Sequence, residues 1–136
     1  MKTLRHLLLV FTIGLLVSCA GLKYSASAYN DDIAIKEIAV ALIKKSNEPY
    51  AMHAAEIDAL KASVIRAAEN EKMRKGNSST VAMWNQVMTG KGNLFDLLDT
   101  WKSGNQLSPE MATQASTQIE LLLNNIADLE SKKRKT

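Results

Sequence analysis

Along most of this chain apolar residues fall three and four positions apart, the spacing that lays one apolar stripe down an α-helix. Ile35, Ile38, Leu42 and Ile43 recur in this way among Asp32, Lys36, Glu37, Lys44 and Lys45, which predicts a first helix over residues 31–46. Ser46-Asn47-Glu48-Pro49 then interrupts the pattern, because proline cannot donate a backbone hydrogen bond and biases the residue before it away from helix. Proline is equally at home in the first turn of a helix, with Ser46 or Asn47 as its cap. Met52, Ile57, Leu60, Val64, Ala67 and Ala68 carry a stripe onward to a basic stop at Arg74-Lys75-Gly76-Asn77. With no glycine or long polar stretch between the halves, the expectation is one long helix kinked near Pro49.

Two short helices follow. Ser78-Ser79-Thr80 offers a cap ahead of Val81, Trp84, Val87 and Met88; after the turn Gly90-Lys91-Gly92-Asn93, with Asn93 as cap and Asp96 in the first turn, Leu94, Leu97, Leu98 and Trp101 form a second apolar face. Beyond the loop Ser103-Gly104-Asn105-Gln106, Ser108 caps a last helix that has Pro109 at its first position and Glu110 beside it. Met111, Ala115, Ile119, Leu122, Ile126 and Leu129 alternate four- and three-residue steps, the period of a packed bundle seam. A helix over residues 109–132 is on the order of 36 Å long and should lie antiparallel to part of the first long helix. There is no alternating β-branched run and no internal repeat. The expected fold is all-α: a small antiparallel bundle of two long helices and two short ones.

The first residues follow a different rule. Lys2 and Arg5 precede an apolar run from Leu7 to Val17, broken only by Thr12 and Gly14, and small Ser18 comes before Cys19. A basic region, an apolar core and small residues at the end make up an export signal. Spanning a bilayer takes about 20 apolar residues, so this run is too short to be a transmembrane helix. Leu16-Val17-Ser18-Cys19 resembles the lipobox of bacterial lipoproteins, in which signal peptidase II cuts before a cysteine that carries a diacylglyceryl group. The resemblance implies that Cys19, the sole cysteine, is a lipid attachment point. The other reading is a secretory peptide cut elsewhere, with a free or buried thiol. By resemblance the mature terminus carries two or more acyl chains, enough for stable attachment at about 0.8 kcal/mol per buried CH₂. Ala20 stands where an aspartate commonly retains lipoproteins at the inner membrane, which implies the outer membrane, facing the periplasm, in a Gram-negative source.

The chain therefore divides into a signal peptide (1–18), a lipidated cysteine and tether (19–30), a helical domain (31–132) and a basic tail (133–136). The small, polar tether spans roughly 18 Å if flexible. Loss of Lys2 and Arg5 with the signal leaves 15 of the 17 basic residues against 14 acidic ones, a nearly neutral protein. Four of those 15 are Lys132, Lys133, Arg134 and Lys135, so the body carries 11 basic and 14 acidic groups, a balance that argues against nucleic acid as a partner. The basic tail could fray in solvent, touch anionic lipid or contact peptidoglycan. Braun-type lipoproteins, which this chain resembles in small size, helicity and basic terminus, end in a lysine joined to peptidoglycan; here Thr136 follows, and the interior is interrupted by proline and glycine.

Catalytic vocabulary is thin. His53, with Glu56 at i+3, lacks the second histidine of a zinc hydrolase signature and reads as a solvated residue near a helix start. No Gly-x-Ser-x-Gly elbow occurs, and Gly90-Lys91-Gly92-Asn93 has neither the spacing nor the preceding strand of a phosphate loop. No catalytic residue, metal site or cofactor is expected. Trp84 and Trp101 fit a shared core, the commoner place for such rings, or a groove between the short helices and the long pair with one ring as a partner-binding anchor. The expected role is a non-catalytic, lipid-anchored module that contacts another envelope protein. A small immunity or exclusion lipoprotein of a phage, plasmid or toxin system and a wall-associated structural lipoprotein are the alternatives.

Overall fold

The computed structural model describes residues 22–135; Leu16, Val17, Ser18 and Cys19 lie outside the described residues, as does Thr136. The described chain is a small all-α bundle of α1 (Ala26–Lys44), α2 (Ala54–Met73), α3 (Ser78–Thr89), α4 (Leu94–Lys102) and α5 (Pro109–Ser131), with one 3-10 turn at Tyr50–Met52. None of these helices is long and apolar enough to cross a membrane.

α1 begins at Ala26 rather than at Asp31, so part of the expected tether is already helix. The cause is local: Ser25 has an extended backbone and its Oγ accepts a hydrogen bond from the Ala28 N–H at 3.1 Å. The expected helix kinked near Pro49 is instead two helices joined by a reversal. Ser46 donates from its backbone to Ile43 and from its Oγ to the same carbonyl at 2.6 Å, which closes α1. Pro49 is extended, at φ −60° and ψ 129°, and the 3-10 turn follows it. α2 then returns along α1, and Asp31 and Ile38 of α1 line a shared groove with Ser63 and Asn70 of α2.

α5 lies antiparallel to α1, as its pattern suggests. Ser25 meets Glu130 at one end, Lys36 Nζ donates to Asn124 Oδ1 at 3.0 Å part-way along, and Leu107 donates from its backbone to Ser46 at the other end. Ser108 caps α5 through the Met111 N–H, with Pro109 at the first position. The seam of α5 keeps Ala115, Ile119 and Ile126 of the expected positions but takes Ala112 and Leu123 in place of Met111 and Leu122: Met111 is 55% exposed. Alanines and Ser116 on the inward face let the α5 backbone approach its neighbours closely, and the bulkier Met111 is left outside. Met52, read as a core position, is also exposed. The core joins Ile35, Leu42 and Ile43 of α1, Ile57, Leu60 and Val64 of α2, Trp84 and Val87 of α3, and Leu94, Leu98 and Trp101 of α4 to the α5 seam.

Candidate functional site

The apolar stripes of three helices each run into a carboxylate at the same end of the bundle. On α1 the buried series is Asp32, Ile35, Ala39, Leu42; on α2 it is Ile57, Leu60, Val64, Ala68, Glu71; on α5 it is Ile119, Leu123, Ile126, Glu130. Because α1 runs opposite to α2 and α5, its first turns meet their last turns, and the three acids converge where the chain enters the bundle. Charged groups with exposures of 3%, 3% and 0% need partners. Arg74, just past α2, supplies one: its Nη1 donates to Glu71 Oε1 at 2.5 Å and Glu130 Oε2 at 3.0 Å, and its Nη2 to Glu130 Oε1 at 2.8 Å. Lys133 supplies the other, donating to Glu130 and lying 3.5 Å from Glu71.

The same groups hold the incoming backbone. The Ser25 N–H donates to Glu130 Oε1 at 2.6 Å, and Arg74 Nη2 donates to the Lys23 carbonyl at 2.6 Å. Tyr24 N–H donates to the Arg134 carbonyl, and Arg134 N–H to the Leu22 carbonyl, a single parallel bridge between the two ends of the described chain. The basic tail, for which fraying in solvent is one of three readings, is partly built into the fold, with Lys133 buried as a counter-ion.

The electrostatics follow from this pairing. Burial raises the Glu130 carboxyl, but hydrogen bonds from Arg74, Lys133 and the Ser25 backbone outweigh burial and hold it below its usual range. The bond to Glu130 raises the Arg74 guanidinium above its usual value despite partial burial. Asp32 is pushed up to about 7, first by burial and then by the neighbouring charges of Glu71 and Glu130. It borders a cavity of about 110 Å³ lined also by Ser25, Ser27, Asn70 and Arg74.

Comparison with protein families, with characterised proteins and with solved structures finds no match to this chain.

The other sequence-derived candidates are placed differently. Trp84 and Trp101 are both buried in the core, at 0% and 1% exposure, which is the shared-core placement, and neither ring offers a face to a partner. Trp101 closes the α1–α2 reversal: its Nε1 donates to the Glu48 carbonyl at 2.8 Å, and Tyr50 and His53 stand 5.7 and 5.5 Å from its ring. His53, read as solvated, is buried in that reversal, with Nε2 2.6 Å from Glu48 Oε2. Among the described residues, no three His, Cys, Asp or Glu side chains are grouped to hold a metal ion. Asn93 stands at the start of α4, but its amide donates back to the Gln86 carbonyl of α3 at 2.9 Å instead of capping α4.

Sequence reasoning passed over Glu71 and Glu130, and placed Asp32 among the charges between apolar positions, Arg74 in a helix stop and Lys133 in the basic tail. Its missed signal was a carboxylate one step beyond each apolar stripe, in register with the stripe rather than with the wet face. Chemically, Glu130, Arg74, Lys133 and Glu71 Oε1 are paired with one another and with the backbone of residues 23–25, which fastens the chain where it enters the fold, while Glu71 Oε2 is buried without a hydrogen bond among the described residues.

Proposed function

We propose that this chain is a lipid-anchored lipoprotein of a bacterial envelope, held by acyl groups on Cys19 and working through contact with another envelope protein rather than through catalysis. The observation that carries this reading is Leu16-Val17-Ser18-Cys19 behind the basic and apolar segments of an export signal. The geometry of the cluster supports it: the backbone only a few residues beyond Cys19 is clamped by Arg74 and Glu130, which suits a domain tethered at that point. In a cell with two membranes, Ala20 directs the protein to the outer one, facing the periplasm.

Metabolic labelling with palmitate tests this directly. Label is expected in the wild-type protein and not in Cys19→Ser, whose export signal should remain uncut. Label that persists in Cys19→Ser, or an intact mass showing a bare thiol in the wild-type protein, would remove the basis of the proposal. Crosslinking in intact cells followed by mass spectrometry then identifies the partner.

A further inference from the structure

The bundle end that holds the ion cluster is also the end at which exposed positive charge gathers. Residues 22–24, the end of α2 and the residues after α5 are joined there by the contacts of Arg74 with Lys23 and Glu130 and of Arg134 with Leu22. Lys23, Lys75, Lys132 and Arg134 are all exposed on these segments. Glu71 and Glu130, the carboxylates of this end, are turned inward and held by Arg74 and Lys133. Of the exposed acids one turn further back, Glu69 is paired with Lys72 at 2.7 Å, which leaves Asp31 and Asp128 against the four exposed cations. Two large apolar side chains stand out of the same surface, Met73 at 77% and Leu22 at 47% exposure. Lys135 lies over the Tyr24 ring, 5.0 Å from its centre, and adds a further cation beside them.

We propose that this end, presenting Lys23, Lys75, Lys132 and Arg134 around Leu22 and Met73, docks flat on an anionic phospholipid surface. Charge complementarity favours the anionic surface, since basic side chains near such a membrane attract it and the neighbouring apolar groups can enter the headgroup region. Reach favours a bilayer as the occupant: this step rests on the proposed lipid on Cys19, three residues before Leu22, and so short a fully extended segment spans only about 10 Å. That is about one Debye length, so the basic face cannot leave the field of the headgroups while the anchor is inserted. The anchor would then fix orientation as well as location, leaving the opposite end, with the α1–α2 reversal, directed away from the membrane.

Lysine acetylation footprinting of the purified mature protein, on vesicles containing phosphatidylglycerol or made only of phosphatidylcholine, tests the proposal. On the anionic vesicles Lys23, Lys75 and Lys132 are expected to react at least about fivefold more slowly, while Lys45, Lys91 and Lys102 are unchanged; on the neutral vesicles all six react alike. Lys75→Ala combined with Lys132→Ala removes no member of the ion cluster. It is expected to keep the wild-type melting temperature and to reduce the protection of Lys23 on anionic vesicles to less than about twofold. Equal reactivity on both vesicles, or protection at Lys45, Lys91 and Lys102 instead, would overturn the proposal. So would protection seen in whole envelopes but absent on phosphatidylglycerol, which would point to a wall polymer or protein. Intact mass of the same sample separates the two readings: lipid on Cys19 without protection leaves the anchor and removes the docking face, and a bare Cys19 with anionic-specific protection does the reverse.

Discussion

Burial, with Glu71 and Glu130 close by, lifts Asp32 from 3.8 to about 7, and this sets the sign of its effect on stability. Between those values the folded chain keeps a proton that the unfolded chain has lost, so stability falls as pH rises through the window. Asp32→Asn mimics the protonated form and is expected to be more stable than wild type by an amount that grows with pH. The gain should be small near pH 4 and reach roughly 2–4 kcal/mol at pH 8, read from urea unfolding at both values. A gain independent of pH would show that Asp32 is not the group responsible. Glu130 has the opposite sign: its folded value is depressed, so its contribution is present above the unfolded value of 4.5 and is lost as pH falls through the folded one. Glu130→Gln leaves Arg74 and Lys133 to share Glu71 alone. At pH 7 it is expected to cost roughly 3–5 kcal/mol, the usual effect of removing one member of a buried ionic group. The same urea series should show that deficit closing in acid.

At the scale of the elements, the two tryptophans offer a controlled comparison, since both are buried and both sit on short helices. Trp101 Nε1 donates to the Glu48 carbonyl, whereas Trp84 Nε1 has no hydrogen-bond partner among the described residues. Phenylalanine removes similar volume at either site, but at 101 it also strands a carbonyl in the reversal. Trp101→Phe is therefore expected to be the more destabilising by about 1–3 kcal/mol, measured as the difference in unfolding free energies. Its amide exchange should also quicken at His53 and Leu107, whose N–H groups bond within or onto the reversal. The same residue explains what could be read in advance. The 3.6 period located each helix, because Ile57, Leu60 and Val64, or Leu94, Leu98 and Trp101, fall on one face by local spacing alone. It could not choose between a kink and a reversal at Pro49, because proline permits both and the deciding contact comes from Trp101, on a helix remote in sequence. Met111 misled for a related reason: periodicity fixes the width of a stripe, while close packing of Ala112, Ala115 and Ser116 sets which edge of the stripe turns inward.

In the whole molecule, both termini of the described chain meet at one end. That meeting was only half legible, since Asp32, Glu71 and Glu130 stand in register with their stripes but nothing local shows that the stripes converge. Lys132-Lys133-Arg134-Lys135 reads as a solvated run because four adjacent charges carry no periodic apolar signal. The counter-charge for Lys133 lies one turn behind it on α5 and across on α2. Deleting residues 133–136 separates the two views of this segment. If it merely frayed, the shortened chain would melt with the full one and amide exchange would be unchanged everywhere. In the structure, deletion removes the Lys133 contacts with Glu130 and Glu71 and both backbone bonds between Arg134 and residues 22 and 24, while Arg74 and the Ser25 N–H still hold Glu130. The expected result is a loss of about 2–3 kcal/mol, by analogy with other partly disrupted buried ionic groups. Faster exchange should be confined to Tyr24 and the first turn of α1, with the amides around Trp84 and Trp101 as protected, relative to global unfolding, as in the full chain. Only a tail that closes the fold predicts that combination of a global deficit and a local opening.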